Sequence, residues 1–352
     1  EVFDKQTRHL VSSTRFVFNY ARADQTFNDE KYLNRVKSGI EFIRKHHFVE
    51  KTGGYNWLLS VEQGNASVLD DTNHCYGFAF VILAYSWAYR VGVTEAREYL
   101  NDTFQTMETH FWDAKAGLYK DQHNNDFTKC DPYRGQNANM HTCEALIAAY
   151  EATQDELFLN RALTLADNMV NRQANLMGGL IWEHYDINWQ IDLEYNKDDP
   201  KNLFRPWGFQ PGHQTEWSKL LMFLNKHKPQ TWLVERAQAL FDNSIDVAWD
   251  KQHGGICYGF APDKSICDDD KYFWVQAETL CCAAYLYETT GDEKYQQWYD
   301  KIWQYSWQHL VDHQYGAWFR ILTVDNKKID TMKSPIGKTD YHTMGACFDV
   351  LA

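Results

Sequence analysis

The sequence predicts an all-α fold in which six inner and six outer helices form a closed barrel of two concentric rings. Three observations support this prediction. A glycine-containing signature recurs along the 352 residues, each interval holds two helix-like runs, and these runs alternate between amphipathic and nearly uncharged. A helix that is apolar all round must be covered on every side, whereas an amphipathic helix has one solvent-exposed face. We therefore expect a single domain over residues 1–352.

The recurring signature consists of an amphipathic run, a short polar turn, a glycine and an apolar or aromatic segment. The last glycines of the five copies lie at positions 54, 117, 179, 255 and 316, so the intervals are 63, 62, 76 and 61 residues. The longest interval contains an acidic insertion with prolines, residues 186–206. Such spacing indicates a repeated structural unit. The apolar segments after the glycines are expected to form short hairpins or loops.

Five amphipathic runs precede the glycine turns and are expected to be the outer helices. Charged and apolar residues alternate in these runs at helical spacing. They are Lys31–His47, Glu95–His110, Glu156–Asn171, Thr231–Val247 and Glu293–Leu310. A sixth outer helix would precede residue 1 or follow residue 352. The sequence also lacks an initiator methionine and starts within a polar, helix-compatible segment, so trimmed ends are expected.

Six runs with few charged residues are expected to be the inner helices. They are Thr7–Ala23, Thr72–Tyr89, Met140–Ala152, His213–Leu224, Val275–Thr289 and the segment from Tyr341 to the end. Turn-like residues precede each run, so all six are expected to begin at the same end of the barrel. Helix N-termini present free N–H groups and a positive dipole end, which suits an anionic intermediate. An open solenoid is the alternative, although nothing in the sequence caps such an array.

The composition limits the classes of partner. The net charge is −13 and there is no basic run, so we expect no binding to nucleic acid or to anionic membranes. The sequence contains no stretch of 18 or more apolar residues, so no transmembrane helix is expected. Eight cysteines without a CxxC motif indicate reduced, buried thiols in a cytoplasmic protein. Four of these cysteines lie in apolar helical runs: Cys143, Cys281, Cys282 and Cys347.

Histidines lie at or near the start of three of the expected inner helices. They are His141, His213 and His342. A glutamate follows His141 and His213 after three residues, Glu144 and Glu216, and residues at this spacing share a helical face. Any one of these histidines alone is typical of a helix cap or a core residue. The three together indicate a functional site, since buried charged groups are unfavourable unless they are paired.

Further polar and aromatic residues lie near the same helix starts and complete the candidate site. Arg15 follows within an apolar face of the first helix, and Asn137 precedes the third. Trp274 and Glu278 lie at the start of the fifth, next to an apolar run. The arginine and the helix N-termini could hold the charge of an enediolate. The carboxylates of Glu216 and Glu278 could bind hydroxyl groups or fix the tautomers of the imidazoles.

Metal and nucleotide cofactors are not expected. Three histidines and a glutamate could bind zinc or iron, but metal sites in helix bundles favour Glu-x-x-His, and the order here is His-x-x-Glu. The sequence has no HExxH, no GxGxxG after a strand and no P-loop. No cluster of arginine and lysine lies near the site, which favours a substrate without phosphate.

Histidine exchanges protons near neutral pH, which suggests the chemistry of this site. Two imidazoles on opposite sides of a bound sugar could remove a proton next to a carbonyl group and return it to the neighbouring carbon. The intermediate of such a transfer is an enediolate. The sequence therefore predicts an acid/base enzyme that acts on a monosaccharide, whose oligomeric state is left open.

Four segments resemble motifs of the N-acylglucosamine 2-epimerase superfamily, and the likeness extends over nearly the whole chain. They are RGQNANMHTCEA from position 134, FRPWGFQPGHQTEW from 204, WVQAETL from 274 and DYHTMG from 340. The resemblance is closest to bacterial aldose–ketose isomerases that act on mannose and sulfoquinovose. It implies an (α/α)6 barrel, no metal, and proton transfer through a cis-enediol after ring opening.

The resemblance also implies roles for individual residues. His213 and His342 would be the acid/base pair, with His141 as a third catalytic residue beside them. The substrate-binding residues would be Arg15, Asn137, Glu216, Trp274 and Glu278. Arg15 is placed only by the short segment Thr14-Arg15-Phe16, so its match is the weakest.

The implied activity is interconversion of D-mannose and D-fructose, with D-lyxose and D-xylulose as a second pair. Three alternatives stay open: a sulfoquinovose isomerase, in which Arg205 or Arg15 would bind the sulfonate, a sugar 2-epimerase, and a non-catalytic sugar-binding protein. A more distant alternative is an inverting glycoside hydrolase with the same barrel. That enzyme would need two carboxylates ~6.5–9.5 Å apart as its only essential groups, and three histidines argue against it.

Overall fold

A computed structural model of the chain describes residues 4–202, 204–335 and 337–351. The described residues form two compact units. Residues 4–165 and 337–341 make up the first unit, and residues 166–335 and 342–351 make up the second. The expectation of one domain over the whole chain stays a prediction.

Helices lie at every position where the alternation of charged and apolar runs predicts one. In chain order they are α1 Leu10–Phe27, α2 Glu30–Phe42, α3 Cys75–Arg90, α4 Ala96–His110, α5 Gln136–Thr153, α6 Glu156–Ala166, α7 Pro211–His227, α8 Thr231–Ala248, α9 Phe273–Thr290, α10 Glu293–His309 and α11 Tyr341–Leu351. Single π-helical segments, Ile43–His47 and Asp167–Gln173, extend α2 and α6. The two amphipathic runs therefore continue as far as the sequence predicts.

Four of the six nearly uncharged helices, α3, α5, α7 and α9, are largely buried, as expected, whereas α1 and α11 keep exposed residues such as Phe16 and Leu351. Almost all of α3 is inaccessible to solvent, and α7 and α9 are buried over their first three turns. In the first unit α3 packs against three helices, α1, α4 and α5. In the second unit α9 packs against α7 and α10, and α8 packs against α7. In each unit, amphipathic helices thus pack against buried apolar helices. An apolar helix has no polar face to expose to water, so its whole surface must be covered.

Strands are short and serve mainly to connect the helices. They are β1 Thr7–His9, β2 Phe48–Val49, β3 Gly54–Tyr55, β4 Leu58–Glu62, β5 Asn65–Asp70, β6 Asn73–His74, β7 Trp112–Asp113, β8 Leu118–Tyr119, β9 Gln122–His123, β10 Arg134–Gly135, β11 His184–Tyr185, β12 Gly259–Phe260, β13 Ile266–Asp268, β14 Lys271–Tyr272 and β15 Ile321–Leu322. In the first unit β1, β4 and β5 form an antiparallel sheet, and β2 pairs with β3, β6 with β9 and β7 with β8. In the second unit β12 pairs with β13 and β14 with β15.

The glycine turns form the hairpins that the repeat predicts. The β2–β3 pair encloses residues 50–53, directly before Gly54 in β3, and the β7–β8 pair encloses residues 114–117. Single bridges join Trp249 to Ile256 and Val311 to Trp318 around the turns at 255 and 316. Glycine is required at position 255. Its φ of +82° is rarely adopted by other residues, and an added Cβ would lie 2.4 Å from the ring of Tyr305.

A side-chain amide at the start of each of three buried helices binds the backbone just after a glycine turn. In α7 the amide of Gln214 accepts from the N–H of Ile181 at 3.0 Å and donates to its carbonyl at 2.8 Å. We call this two-bond contact an amide clamp. The same contact joins Asn139 to Tyr119 and Gln276 to Ile256. The clamps satisfy the N–H and the carbonyl group of a buried residue, and they tie each turn to the helix that follows.

The burial of the cysteines agrees only in part with the prediction from the sequence. All eight cysteines are unpaired, and Cys143, Cys281 and Cys282 are buried as expected. The expectation is wrong for Cys347, which is exposed. This thiol shares one exposed face of α11 with Met344 and Leu351, three residues before it and four after. None of the described helices is long and apolar enough to cross a membrane.

We predict that Asn139→Ala lowers the free energy of unfolding by about 2–5 kcal/mol, because two buried backbone groups of Tyr119 lose their hydrogen bonds. Urea denaturation of the variant measures this loss. The matched control is Asn101→Ala on the exposed side of α4, which should change stability by no more than ~0.5 kcal/mol. Equal effects of the two substitutions would contradict the role of the clamp.

Candidate active site

The start of α7 places His213 against the start of α9. Gln210 precedes the helix, and Pro211 occupies its first position, where a missing N–H has no cost. The next position, 212, requires glycine, since an added Cβ would lie 2.6 Å from the indole ring of Trp274. The two helix starts are therefore in direct contact. As a result, the imidazole of His213 lies 5.2 Å from the indole of Trp274, measured between ring centroids.

His213 makes a hydrogen bond through Nδ1 to the carboxylate of Glu183, at 2.9 Å. Glu183 is only 5% exposed and lies two residues beyond the clamped Ile181. An ionised carboxylate can only accept hydrogen bonds, so Nδ1 carries the hydrogen in the neutral ring and Nε2 has the free lone pair. Glu183 thereby orients the ring and determines which nitrogen can take up a proton.

His342 repeats this arrangement at the start of α11. Its Nδ1 lies 2.7 Å from Oε1 of Glu278 on α9, and both side chains are buried. The imidazole of His342 is 5.3 Å from the indole of Trp274. The same indole therefore contacts both histidines that the sequence assigns as the acid/base pair. In both rings Nε2 is the nitrogen that the carboxylate does not bind.

Lys219 and Glu216 complete this part of the site from α7. The Lys219 ammonium donates to Oε2 of Glu278 at 2.5 Å, and both side chains are buried. Oxygen atoms of Glu216 and Glu278 and a nitrogen of His342 lie within 4.8 Å of one another. Two carboxylates this close would repel each other, and the ammonium group offsets part of that repulsion.

A second cluster lies in the first unit and includes His141, Glu144, Tyr341 and Tyr76. Nδ1 of His141 lies 2.9 Å from the Oε2 of Glu144, and the hydroxyl of Tyr341 donates to the other oxygen of that carboxylate. Glu144 is thus the helix partner of His141, as the three-residue spacing suggests. The ring of Tyr76 packs edge-on against His141, with 5.0 Å between centroids.

Arg15 lies in the same cluster and is only 1% exposed. Its guanidinium group packs between the rings of Phe80 and Tyr341, and it donates to the hydroxyl of Tyr76 and to the carbonyl of Gly337. Within the described part of the chain, its buried Nε has no hydrogen-bond partner. The guanidinium is therefore held rigidly while one donor remains available.

Asn137 lies on α5, four residues before His141. Among the residues that the structure describes, its buried Oδ1 has no hydrogen-bond partner. Burial without a partner costs free energy, so this oxygen is a candidate acceptor for a ligand hydroxyl.

The site residues predicted from sequence therefore fall into two groups. His213, Glu216, Trp274, Glu278 and His342 lie together in the second unit, and Arg15 and His141 are linked through Tyr76 in the first. Sequence reasoning missed Glu183 and Lys219. Both were visible as single charges in apolar runs, Glu183 after Leu180-Ile181-Trp182 and Lys219 before Leu220-Leu221-Met222.

Other ionisable groups near Glu278 are held neutral. Burial raises the pKa of the Cys282 thiol to about 12 and raises that of the Cys281 thiol well above its usual range. Burial also raises the pKa of Tyr258, whose ring meets Trp274 edge-on at 5.9 Å. These groups are poor nucleophiles and bases near neutral pH, which leaves the imidazoles as the groups suited to proton exchange.

Comparison with known proteins identifies the family. The family model described as N-acylglucosamine 2-epimerase (GlcNAc 2-epimerase) matches residues 1–346. The chain belongs to this family. Its members include sugar isomerases and epimerases, so the chain is assigned to an enzyme family, as the resemblance of the four motifs implies.

Individual relatives agree with this assignment. A D-mannose isomerase from Marinomonas mediterranea is 53% identical over 351 residues, which cover 99% of this chain and 88% of that protein. A crystal structure of D-mannose isomerase, also 53% identical, has a TM-score of 0.97 and covers 100% of this chain and 89% of that chain. A sugar epimerase from a ruminal bacterium, 20% identical, has a TM-score of 0.88, with 100% and 89% covered. These structures are of the (α/α)6-barrel type, which confirms the predicted fold class.

Proposed function

We propose that this protein is an aldose–ketose isomerase that interconverts D-mannose and D-fructose, with D-lyxose and D-xylulose as a second pair. The observation that carries the proposal is the pair of imidazoles around Trp274. His213 and His342 each bind a buried carboxylate through Nδ1, and their Nε2 atoms remain for proton exchange. The 53% identity to a D-mannose isomerase over 351 residues supports the choice of sugar.

The proposed reaction moves one hydrogen between neighbouring carbons of the open-chain sugar. The Nε2 atom of one imidazole removes the proton at C2, and the electrons of that C–H bond form the C1–C2 double bond. The carbonyl oxygen at C1 becomes the enediolate oxygen and takes a proton from the other imidazole. A proton then returns to C1 while the O2 hydroxyl loses its own, which leaves a carbonyl group at C2. No atom is gained or lost, as isomerisation requires.

The remaining residues are proposed to bind the sugar and its intermediate. The indole of Trp274 offers an apolar surface between the two imidazoles, and Glu216 offers acceptor atoms for hydroxyl groups. His141 as a catalytic residue and Arg15 and Asn137 as substrate ligands stay predictions of the sequence. The unpartnered Nε of Arg15 supports a role in binding an oxygen of the enediolate.

The geometry favours the isomerase over a hydrolase. The carboxylate oxygens of Glu216 and Glu278 lie within 4.8 Å of one another, which is closer than the ~6.5–9.5 Å of an inverting glycosidase. Both oxygens of Glu278 are already bound, one to Lys219 and one to His342. This carboxylate is therefore poorly suited to act as a general acid or as a nucleophile.

A neutral sugar fits the described cations better than a sulfonate. Two of the three nitrogens of the Arg15 guanidinium are bound to Tyr76 and to the backbone at Gly337, which leaves Nε for one oxygen, and Arg205 is bound to the hydroxyl of Tyr195. A sugar 2-epimerase would use the same imidazoles but would return the proton to C2. The proposal of isomerisation rests on the greater identity to the D-mannose isomerase, 53%, than to the ruminal sugar epimerase, 20%.

We further propose that the reaction needs neither metal nor cofactor and that the protein is cytoplasmic. Glu216, Glu278 and His342 are close enough to hold a cation. However, Lys219 already supplies a positive charge to Glu278, and Nδ1 of His342 is bound to the same carboxylate. A metal ion would have to compete with both contacts.

We expect that prolonged dialysis against a chelator leaves the rate of ketose formation from mannose unchanged, because the imidazoles and the ammonium group supply the proton transfer and the charge. A colorimetric ketose assay before and after dialysis measures this. A large loss of rate that one added divalent metal restores would contradict the proposal of metal-free chemistry.

Replacement of either histidine of the acid/base pair should slow the chemical step. We expect His213→Ala and His342→Ala each to lower kcat by ~10²–10⁴, the usual contribution of a general acid or base, with a small change in KM. The control is His253→Ala, because this histidine contacts Asp250 outside the site. Near-normal turnover of either site variant on mannose would remove that histidine from the mechanism.

A further inference from the structure

We propose that Lys219 is a positioning residue that keeps Glu278 ionised and thereby maintains the protonation state of His342 needed for catalysis. This inference rests on the proposed function and concerns the control of one of its two imidazoles. The contacts form a continuous chain from the Lys219 ammonium through both oxygens of Glu278 to Nδ1 of His342.

The surroundings of Glu278 disfavour a negative charge. Its side chain is only 2% exposed, and an oxygen of Glu216 lies within 4.8 Å of it. Burial and a neighbouring carboxylate both favour the protonated, neutral carboxyl group. The Lys219 ammonium at 2.5 Å is the contact that opposes these two effects.

The charge state of Glu278 matters because it sets the hydrogen bond to His342. An ionised carboxylate accepts from Nδ1–H and stabilises the imidazolium that forms when Nε2 takes up a proton. A neutral carboxyl group can instead donate to Nδ1, which would favour the opposite tautomer and place the hydrogen on Nε2. The ring would then have no lone pair directed away from Glu278, and it could not act as a base at Nε2.

The position of Lys219 in the sequence fits this role. It lies three residues after Glu216 on α7, so the two side chains share a helical face. A lysine that is 5% exposed in an apolar helix is unfavourable unless it is paired with a charge. The partner that the structure provides is the carboxylate bound to a candidate catalytic histidine.

Other charged and titratable groups of the second unit also face this chain of contacts. Glu216 of α7 and the thiols of Cys281 and Cys282 of α9 lie next to it, and Asp349 of α11 and Asp242 of α8 interact in turn with those two thiols. Burial keeps both thiols neutral. Asp242 is paired with Lys294, and Cys281 donates to Asp349. Lys219 is thus the cation in direct contact with Glu278 among these groups.

The first test compares Lys219→Met with the unaltered chain across a range of pH. Without the ammonium group, Glu278 should stay protonated to higher pH, so the acidic limb of the kcat/KM profile should move upward by about one pH unit or more. At neutral pH kcat should fall about 10–100-fold, by analogy with the loss that follows replacement of residues that orient metal-bound side chains, with less change in KM. An unshifted acidic limb would overturn the proposal.

The matched control is Lys271→Met. Lys271 is also fully buried, and its ammonium lies 2.8 Å from the carboxylate of Asp250, away from the histidines. This variant should also lose stability, since it removes a buried ammonium group and its hydrogen bonds to Asp250 and Asn326, but the position of its acidic limb should be unchanged. Equal shifts in the two lysine variants would show a general effect of lost stability and would overturn the specific role.

A second pair of variants tests the proposal if Lys219→Met does not fold. When Glu278 is already glutamine, Lys219 has no carboxylate to act upon. Adding Lys219→Met to Glu278→Gln should therefore lower kcat by no more than about threefold, because residues that act through one another are not additive. A further loss of tenfold or more would show that Lys219 acts independently of Glu278.

Nitrogen-15 NMR of the histidine rings gives a readout that does not depend on turnover. The resonances of His342, assigned by their loss in His342→Gln, should show Nδ1–H in the unaltered chain and a change toward Nε2–H in Lys219→Met at neutral pH. The same tautomer in both would overturn the inference. If the unaltered chain makes no ketose from mannose while this difference is seen, the proposed function fails and the positioning role stands.

Discussion

Two hydrogen bonds decide what this site can do: Nδ1 of His213 to Glu183, and Nδ1 of His342 to Glu278. A histidine that is free to rotate could present either nitrogen to a ligand, and it could exchange tautomers. A buried carboxylate removes both freedoms, because it holds one nitrogen as a donor and leaves the other as the proton acceptor. The proposed proton transfer depends on this constraint more than on the presence of the histidines.

The fold supplies that constraint through the amide clamps. Gln214 follows His213 directly and holds Ile181, so it fixes the segment that carries Glu183, the partner of His213. Gln276 precedes Glu278 by one helical half-turn and holds Ile256 in the same way. The residues that position the imidazoles are therefore tied to the glycine turns. Two of the repeated turns thus contribute to the geometry of the site.

Much of the fold could be predicted from the sequence, because its signals are local. The alternation of charged and nearly uncharged runs located the eleven α-helices of the described residues, and the glycine spacing located the hairpins at four of the five turns. The histidines and Glu278 were found because they are polar residues at the starts of apolar helices. The contact of Glu144 with His141 follows from a spacing of three residues on one helix.

The partners of the acid/base histidines could not be predicted in this way. Glu183 is 30 residues from His213 in sequence, and Glu278 is 64 residues from His342, so only the packing of the chain brings each pair together. Glu216, three residues after His213, suggested itself as the partner, but the carboxylate bound to that imidazole is Glu183. The role of Lys219 could not be predicted, because a single lysine in an apolar helix does not indicate which carboxylate it contacts. Cys347 was expected to be buried because its neighbours are apolar, yet it lies on an exposed face of its helix.

The most direct test of the central claim is proton NMR of mannose incubated with the protein in heavy water. If His213 and His342 transfer a proton through an enediolate, fructose should form with deuterium at C1, and some deuterium should return to C2 of mannose. Glucose with deuterium at C2 that forms before any fructose would show a 2-epimerase and would contradict the proposed isomerisation. No carbon-bound deuterium in any sugar would contradict proton transfer by these imidazoles altogether.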